Sequence, residues 1–401
     1  MQEVFKGNFT QQEPIPEAGI AAALDVMRSG RLHRYNLAPG ELGEVGLLEQ
    51  EFAAYTGAKY ALAVCSGGYA LATALRALGV KPGDKVLTNA FTLAPVPGAI
   101  ASVNAVPVFV GVTEDLVIDL DDLAAKAHEA RVLMLSHMRG HICDMDRLVE
   151  ICDAADVTIV EDCAHTMGAA WRGVPSGRHG VIGCYSTQTY KHMNSGEGGF
   201  LVTDKKEVAA RATMLSGSYM LYGRHGAVPE AEVFEGVKYD TPNVSGRMDH
   251  LRAAILRPQL AKLDAQCEAW NARYRVVEEG LCATPGMALV NRPDEERFVG
   301  SSIQFLLLDW PDAAIEDVLA RCLARGVELK WFGGAEPVGF TSRYDSWRYA
   351  PSERMPASDR VLRGVIDMRL PLTFSLEDCA LIARIIRAEV SAVWQARAAA
   401  E

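Results

Sequence analysis

The sequence predicts an α/β protein with a large, doubly wound and mostly parallel sheet, followed by a smaller α+β domain. Three observations lead to this fold class. Short apolar runs alternate with segments of helical spacing through the first half of the chain. Most of these runs lack the polar residue at every second position that a half-exposed strand shows. After residue 247 the alternation stops, so we predict a large domain over residues 1–260 and a small one over 261–401.

The elements of the large domain are predicted one after another from residue 61. A short strand over 61–64 leads into a helix over 69–80, where Leu71, Leu75 and Leu78 recur on one face. Largely apolar runs elsewhere predict strands that are covered on both faces, as in a parallel sheet. Four further strands are predicted in this way, over residues 85–91, 105–112, 131–137 and 157–163.

A long helix marks the change to the small domain. The spacing predicts a single helix from Arg247 to about Leu281, which Pro258 bends because proline has no backbone N–H to donate. A strand over 302–310, a helix over 314–326 and a closing helix at the C-terminus follow. These elements form the predicted α+β domain.

Composition and charge exclude several classes of protein. The 401 residues are 49% hydrophobic and 23% charged, which is typical of a folded globular chain. The net charge of -11 argues against a nucleic-acid partner, because phosphate groups favour a basic surface. No apolar run is long enough to span a membrane, and the first residues lack the apolar core of a secretory signal, so we expect a cytoplasmic protein.

No metal site is predicted. The nine cysteines form no CxxC pair, and several lie in apolar segments, so buried thiols are favoured over disulfides or a zinc site. His137 and His141 lie four residues apart, but Gly140 places them on a loop and not on a helix. We therefore interpret the two histidines as structural or as substrate contacts.

A glycine-rich turn follows the first predicted strand. Ser66, Gly67 and Gly68 lead directly into a helix, whose free backbone amides and positive end can hold an anion such as a phosphate. The alternative is an ordinary turn in which Ser66 caps the helix. The turn contains neither GxGxxG nor GxxxxGK[ST], so it lacks the usual cradle for a dinucleotide or a nucleoside triphosphate.

Asp162 stands at the end of the predicted strand over 157–163. A carboxylate at the end of a buried strand is costly unless a cation or a hydrogen-bond donor meets it. Asp162 is therefore satisfied by an arginine or a helix end, or it holds a proton on a heterocyclic nitrogen. His165 follows three positions later and either donates to a phenolate or packs in the interior.

Lys191 lies in the stretch QTYKHMNSGEGG, residues 188–199, at the mouth of a glycine-rich turn. Lysine is normally a surface residue, so this position indicates a chemical role. The turn at 66–68, the carboxylate of Asp162 and this lysine together describe a pyridoxal phosphate site. In such a site the lysine forms a Schiff base with the cofactor, and the carboxylate keeps the ring nitrogen protonated.

With these motifs the chain resembles the DegT/DnrJ/EryC1/StrS family of sugar aminotransferases, which are pyridoxal phosphate enzymes of fold-type I. The resemblance extends from about Gly40 to Arg273. No single motif is specific, but all of them occur in the family's order. They are SGGYAL (66–71), GDKVL (83–87), PVFVG (107–111), HMRGHICDM (137–145), VEDCAH (160–165), Ser186 with Lys191 and EGG (197–199), and SGRM (245–248).

The resemblance implies a role for each matching residue. Lys191 would form the Schiff base and then act as the acid and base that moves the proton during transamination. Asp162 would pair with the pyridinium nitrogen, and His165 would contact the phenolic oxygen of the cofactor. Gly67 and Gly68 would hold the phosphate through their backbone amides and Ser186 through its hydroxyl, and Ser66 would also belong to the cofactor site.

Other positions depart from the family pattern. Leu93 stands where many members carry an aromatic residue, so an aliphatic side chain would cover the cofactor ring. The family asparagine before the long helix aligns with Ser245, and Asn243 lies nearby as a substitute. This loop would reach into the active site of a partner subunit, which implies a homodimer. The stretches LSGSY (215–219) and WFGG (331–334) also differ, which implies remodelled substrate contacts.

The implied function is transfer of an amino group from glutamate or glutamine to a keto-sugar or a related cyclic ketone. The alternative is a pyridoxal phosphate-dependent dehydratase or other lyase, because family dehydratases carry histidine in place of the lysine and His192 is adjacent. The spacing from Ser186 to Lys191 favours the transaminase. A non-catalytic protein of the same fold is disfavoured, since Lys191 and Asp162 are both present.

Overall fold

The computed structural model describes residues 3–399, and its largest sheet has seven strands. These strands, together with a short hairpin (β6 and β7), are β1 (Tyr60–Val64), β2 (Lys85–Asn89), β3 (Val106–Val110), β4 (Val132–Ser136), β5 (Thr158–Asp162), β6 (Ala170–Trp171), β7 (Val174–Pro175), β8 (Ile182–Ser186) and β9 (Gly199–Thr203). The order across the sheet is β1-β9-β8-β5-β4-β2-β3, and β9 runs antiparallel to both of its neighbours. The mostly parallel sheet is confirmed, and the ends of the five predicted strands shift by only one or two residues.

Helices cover both faces of this sheet. They are α1 (Glu17–Ser29), α2 (Glu44–Thr56), α3 (Gly67–Ala77), α4 (Pro95–Ser102), α5 (Leu120–Lys126), α6 (Met145–Ala154), α7 (Lys206–Leu215), α8 (Ala231–Glu235) and α9 (His250–Leu260). Leu133 and Leu135 of β4 pack in one core with Leu48 of α2. Met134, between them, packs in a second core with Leu75 of α3. Because successive side chains of a strand point to opposite faces, a fully apolar strand needs this cover on both sides.

The predicted single helix over residues 247–281 is wrong, because the structure has two helices there. α9 ends at Leu260, and α10 covers Leu263–Leu281. Pro258 lies in the last turn of α9 and cannot donate a hydrogen bond to the carbonyl group four residues before it, which weakens that turn. The two helices also have different partners, since α9 packs against α1 and α2 while α10 packs against the C-terminal helix.

A second, antiparallel sheet of four strands lies in the C-terminal part of the chain. The remaining strands and helices are β10 (Ala288–Leu289), β11 (Glu296–Arg297), β12 (Ser302–Leu306), α11 (Asp312–Ala324), β13 (Lys330–Trp331), α12 (Pro356–Arg363), β14 (Val365–Arg369) and α13 (Leu376–Ala398). The order of the sheet is β10-β12-β14-β13, whereas β11 pairs with β6. The predicted strand over 302–310 and the two predicted helices are confirmed, although the strand ends at Leu306. β10, β11, β13, β14 and α12 were not predicted.

The position of the domain boundary stays a prediction. Phe5 and Phe9, which precede α1, pack against Phe374 with ring centroids 4.9 Å apart in each pair. All three belong to the core of the second sheet. The N-terminal segment therefore contacts the C-terminal part of the chain, although the prediction assigns it to the large domain.

Two further expectations from the sequence concern buried cysteines and membrane-spanning helices. Seven of the nine cysteines are buried, which confirms that most of them are packing residues. Within residues 3–399, we find no helix that is both long enough and apolar enough to cross a membrane.

Candidate active site

The turn after β1 and the end of β8 meet at one point. Ser66 caps α3, because its Oγ accepts a hydrogen bond from the Tyr69 N–H at 3.1 Å. A Cβ built on Gly67 would lie 2.8 Å from the Cβ of Ser186, and one on Gly199 would lie 2.7 Å from the backbone nitrogen of Gly67. Only glycine permits approaches this close. The start of α3 therefore lies beside the Ser186 side chain, as a phosphate site requires.

Asp162 ends β5 and is buried. Its two oxygens accept hydrogen bonds from the Ala164 N–H and from the Ser136 hydroxyl, each at 3.1 Å. Burial raises the pKa of Asp162, while the ammonium group of Lys191 and these two donors oppose the rise. Its neighbours among residues 3–399 include donors and this lysine but no arginine ion pair, so the carboxylate can serve a cationic ring nitrogen.

Lys191 lies in the loop between β8 and β9, with its Nζ 2.9 Å from Nε2 of His165. Removal from water lowers the pKa of Lys191 to about 7; repulsion from Arg139 and Arg369 acts in the same direction, and attraction to Asp162 opposes it. Burial also lowers the pKa of His165, so its imidazole is neutral. Near pH 7 the lysine is therefore often the neutral amine, which is its nucleophilic form.

Seven of the predicted site residues line one cavity at the carboxyl ends of the strands, where an open α/β sheet binds ligands. They are Gly67, Gly68, Leu93, Asp162, His165, Ser186 and Lys191. Gly68 faces open space, since a Cβ built on it would have only Pro95 within 4 Å, at 3.8 Å. Ser66 is not among the lining residues, and its side chain serves as the helix cap.

Asn243 and Ser245 lie outside this cavity. Both are exposed, in the segment before α9. They do not line the cavity with Lys191, and their role in the site stays a prediction.

Comparison with known proteins gives the family. Residues 17–387 match the DegT/DnrJ/EryC1/StrS aminotransferase family. The chain belongs to this family. The resemblance found in the sequence is therefore confirmed, together with the fold class and the assignment as an aminotransferase.

Individual relatives show which enzymes the chain is similar to. It is 35% identical over 301 residues to dTDP-3-amino-3,4,6-trideoxy-alpha-D-glucose transaminase of Streptomyces venezuelae, covering 73% of this chain and 72% of that enzyme. It is 34% identical over 294 residues to L-glutamine:scyllo-inosose aminotransferase of Streptomyces griseus, covering 68% of each. Among solved structures, 3-amino-5-hydroxybenzoic acid synthase matches with a TM-score of 0.81 at 26% identity, covering 96% of this chain and 99% of that one.

The surroundings of His192 bear on the dehydratase alternative. Its Nδ1 lies 2.8 Å from the carbonyl oxygen of Met167, and its Nε2 lies 3.0 Å from Oγ of Ser301. Both ring nitrogens are therefore engaged, and burial lowers the pKa of His192 to about 4. Lys191 lines the cavity and His192 does not, which favours the lysine as the reacting group.

His137 and His141 have separate partners in the interior. Nε2 of His137 lies 3.0 Å from a carboxylate oxygen of Glu161, and Nε2 of His141 lies 2.8 Å from Oε1 of Gln304. Ligand atoms of His137, Glu161 and Cys163 lie within 4.8 Å of one another. Glu161 also accepts three backbone hydrogen bonds at 2.7 or 2.8 Å, so its oxygens already have protein donors. This supports the structural interpretation of the cluster.

Three further residues at the site were not predicted from the sequence. Arg139, Tyr190 and Arg369 line a second cavity, which Lys191 and His165 also line. Arg139 belongs to the motif HMRGHICDM, so the sequence contained the information needed to name it as a site residue. Arg369 ends β14 in the other sheet, and only the fold brings it to the lysine.

Proposed function

We propose that this aminotransferase uses pyridoxal phosphate and moves an amino group from glutamate or glutamine to a keto-sugar or a related cyclic ketone. The observation that carries the proposal is the single cavity lined by Lys191, Asp162 and the turn of Gly67 and Gly68. The relatives' names support the substrate classes, since one is named for an amino sugar and the other for glutamine and an inosose.

The cavity fits this cofactor. When bound, pyridoxal phosphate supplies an aldehyde that condenses with amines and a protonated ring that accepts electrons. Such a group needs donors for its phosphate, a carboxylate for its ring nitrogen and a neutral amine for its aldehyde. The backbone amides of Gly67 and Gly68 with the Ser186 hydroxyl, the Asp162 carboxylate and the Lys191 amine meet these three needs.

Each side chain then has a defined role. The amine of Lys191 would attack the aldehyde of the cofactor and later move the proton that turns the donor amino acid into a keto acid. Asp162 would hold the proton on the ring nitrogen, where the cationic ring offsets the cost of burying its charge. His165, now hydrogen-bonded to the lysine, would contact the phenolic oxygen, and Leu93 would cover the ring.

Borohydride reduction of the cofactor-loaded protein is expected to fix the cofactor on Lys191. The loaded protein should be yellow, because the linkage to the lysine is conjugated with the ring. The rate of cofactor uptake should rise as the pH increases through about 7, since the pKa of Lys191 is lowered to about 7 and only the neutral amine reacts. The measurement is absorbance during uptake, followed by mass spectrometry of the reduced and digested protein.

The control for this experiment is a second lysine with a lowered pKa. Burial and Arg369 lower the pKa of Lys330 to about 8, so it is the lysine most able to compete. Label on the peptide that contains Lys330, and not on the one with Lys191, would contradict the assignment. A colourless protein that takes up no cofactor would contradict the proposal itself.

We also propose that the enzyme is a homodimer whose active sites contain residues of both subunits. Tyr219 and Val244 are exposed, at 56% and 38%. Val244 lies between Asn243 and Ser245 in the chain, and the Tyr219 side chain hydrogen-bonds to Ser245. A subunit contact would cover these residues and place the loop in the partner's site. A stable dimer of this kind buries well above about 1,000 Å2.

Mixing two inactive variants is expected to restore activity if the loop crosses over. Lys191→Ala would be combined with the double variant Asn243→Ala, Ser245→Ala. In the mixed dimer one site carries both lesions and the other site is intact. Activity of the mixture above that of either parent, together with a dimer in sedimentation, would support the proposal; a fully active monomer would refute it.

A further inference from the structure

A second cavity lies directly beyond Lys191 and is cationic. It has a volume of about 30 Å3 and is lined by Arg139 and Arg369 as well as by Lys191 and His165. The lysine and the histidine also line the cavity that we assign to the cofactor. The amine of Lys191 therefore lies where the two cavities meet, with two guanidinium groups on the side away from the cofactor.

Arg369 also connects this small cavity to a larger one on the outside. The outer cavity has a volume of about 490 Å3, and both Tyr190 and Arg369 line the two cavities. Much of its remaining lining is apolar, with Trp331 and Phe340 among its residues. Its other charged residues are Lys330, Glu328 and Glu336. A substrate that enters through the outer cavity passes Arg369 before it reaches Lys191.

The positive charges at this point exceed the negative ones. Within residues 3–399 no ion pair is found for Arg369, whose guanidinium carbon lies 3.5 Å from the centroid of the Tyr190 ring. Arg139 is only 5% exposed and pairs with Asp367 at 2.9 Å, and its Nε has no hydrogen-bond partner among the described residues. One carboxylate thus faces two arginines, and the half-buried guanidinium of Arg369 has the Tyr190 side chain as its partner.

We propose that Arg369, assisted by Arg139, binds a carboxylate group of a substrate while the reacting group of that substrate faces Lys191. The inference rests on the proposed function and adds the chemical class of one substrate. A guanidinium group presents two parallel N–H donors that match a carboxylate. The small cavity places such a group between Arg369 and Lys191, both of which line it.

The carboxylate can belong to either of the two substrates of this reaction. It belongs either to the amino donor, glutamate or glutamine, or to an acceptor ketone that carries an acidic group. The apolar outer cavity, next to Arg369, is large enough for the ring of such an acceptor. The chemistry of recognition is the same for both sources, so they are separated by the choice of probe.

The test measures binding of unreactive acids to the cofactor-loaded enzyme by calorimetry. Glutarate represents the donor, cyclohexanecarboxylate represents an acidic ring acceptor, and glutaramide and cyclohexanecarboxamide are the neutral counterparts. Arg369→Gln should weaken binding of at least one acid by about 10- to 100-fold, the usual effect of losing a hydrogen bond to a charged group. Binding of the amides should not change, and Arg369→Lys should retain part of the affinity.

The matched control is Arg387→Gln, which removes an exposed arginine of α13 and should leave all probes unaffected. Loss of glutarate binding alone assigns the carboxylate to the donor, and loss of cyclohexanecarboxylate binding alone assigns it to the acceptor. The proposal is overturned if neither acid binds, if Arg369→Gln binds both acids as well as the unaltered enzyme, or if acids and amides are affected equally. It is also overturned if thymidine diphosphate is the probe whose binding depends on Arg369.

Failure of this inference and failure of the proposed function give different results. The calorimetric test needs no turnover, whereas the proposed function is tested by label on Lys191. Labelled Lys191 with no acid binding would overturn the carboxylate site alone. Acid binding that depends on Arg369, in a protein without label on Lys191, would retain the carboxylate site and overturn the proposed chemistry.

Discussion

Replacing Lys191 with alanine is expected to lower the rate of amino transfer from L-glutamate or L-glutamine by several orders of magnitude. General acid–base catalysis alone is worth roughly 10²- to 10⁴-fold. The alanine variant also loses the amine that holds the cofactor covalently, so the full effect should exceed that range. With donor alone, the unaltered enzyme should lose its visible absorption band and release keto acid in proportion to its active sites, and then stop. The variant should do neither, while still binding the cofactor through the other groups of the cavity.

His192→Ala is the matched control for this experiment. His192 is the next residue, but its ring bonds to the Met167 carbonyl group and to Ser301, and it does not line the cofactor cavity. Its loss should therefore cost far less activity than the loss of Lys191. The dehydratase alternative makes the opposite forecast, with His192 essential, Lys191 dispensable and water lost from a hydroxylated sugar. Finding that ranking of the two variants would overturn the assignment as a transaminase.

The residues of the cofactor cavity could be predicted because each lies just after a strand. Gly67, Asp162 and Ser186 follow or end β1, β5 and β8, and the carboxyl ends of these strands lie at one edge of the sheet. The strands that lead to Gly67 and Asp162 were recognised from their apolar runs, whereas β8 was not among the predicted strands and Ser186 was assigned from the resemblance to the family. The two-sided burial of residues such as Met134 also made the parallel sheet predictable.

Other features depend on contacts that the sequence does not reveal locally. Arg369 reaches the site from β14, a strand that pairs with the two-residue strand β13 and was not recognised. The break between α9 and α10 depends on which neighbours each helix packs against. Pro258 predicted a bend in one long helix but not its division into two helices. The role of Asn243 in the proposed dimer would depend on a second chain. In each case tertiary or quaternary packing decides, and local spacing carries little information about it.

Replacing Asp162 with asparagine is expected to lower amino transfer by roughly 10²- to 10⁴-fold, which corresponds to the loss of one partner of a buried ion pair, about 3–5 kcal/mol. The amide has the same shape: its oxygen can accept the hydrogen bond from the Ala164 N–H, and its NH2 group can donate to the Ser136 hydroxyl oxygen. It cannot stabilise a positive charge on the cofactor ring, so the ring would accept electrons less well. Cofactor uptake at Lys191 should persist, which borohydride labelling can measure. The exposed Asp153, changed to asparagine, is the matched control.

The stability of the Asp162→Asn variant separates a functional from a structural carboxylate. Burial raises the pKa of Asp162, so in the protein without cofactor its charge is held at a cost and its main cationic neighbour is Lys191. A neutral amide avoids that cost, and the midpoint of thermal unfolding of the cofactor-free variant should stay the same or rise while activity falls. Residues kept for catalysis at the expense of stability behave in this way. If unfolding temperature and activity fall together, Asp162 is a structural group, and the ring nitrogen needs another partner.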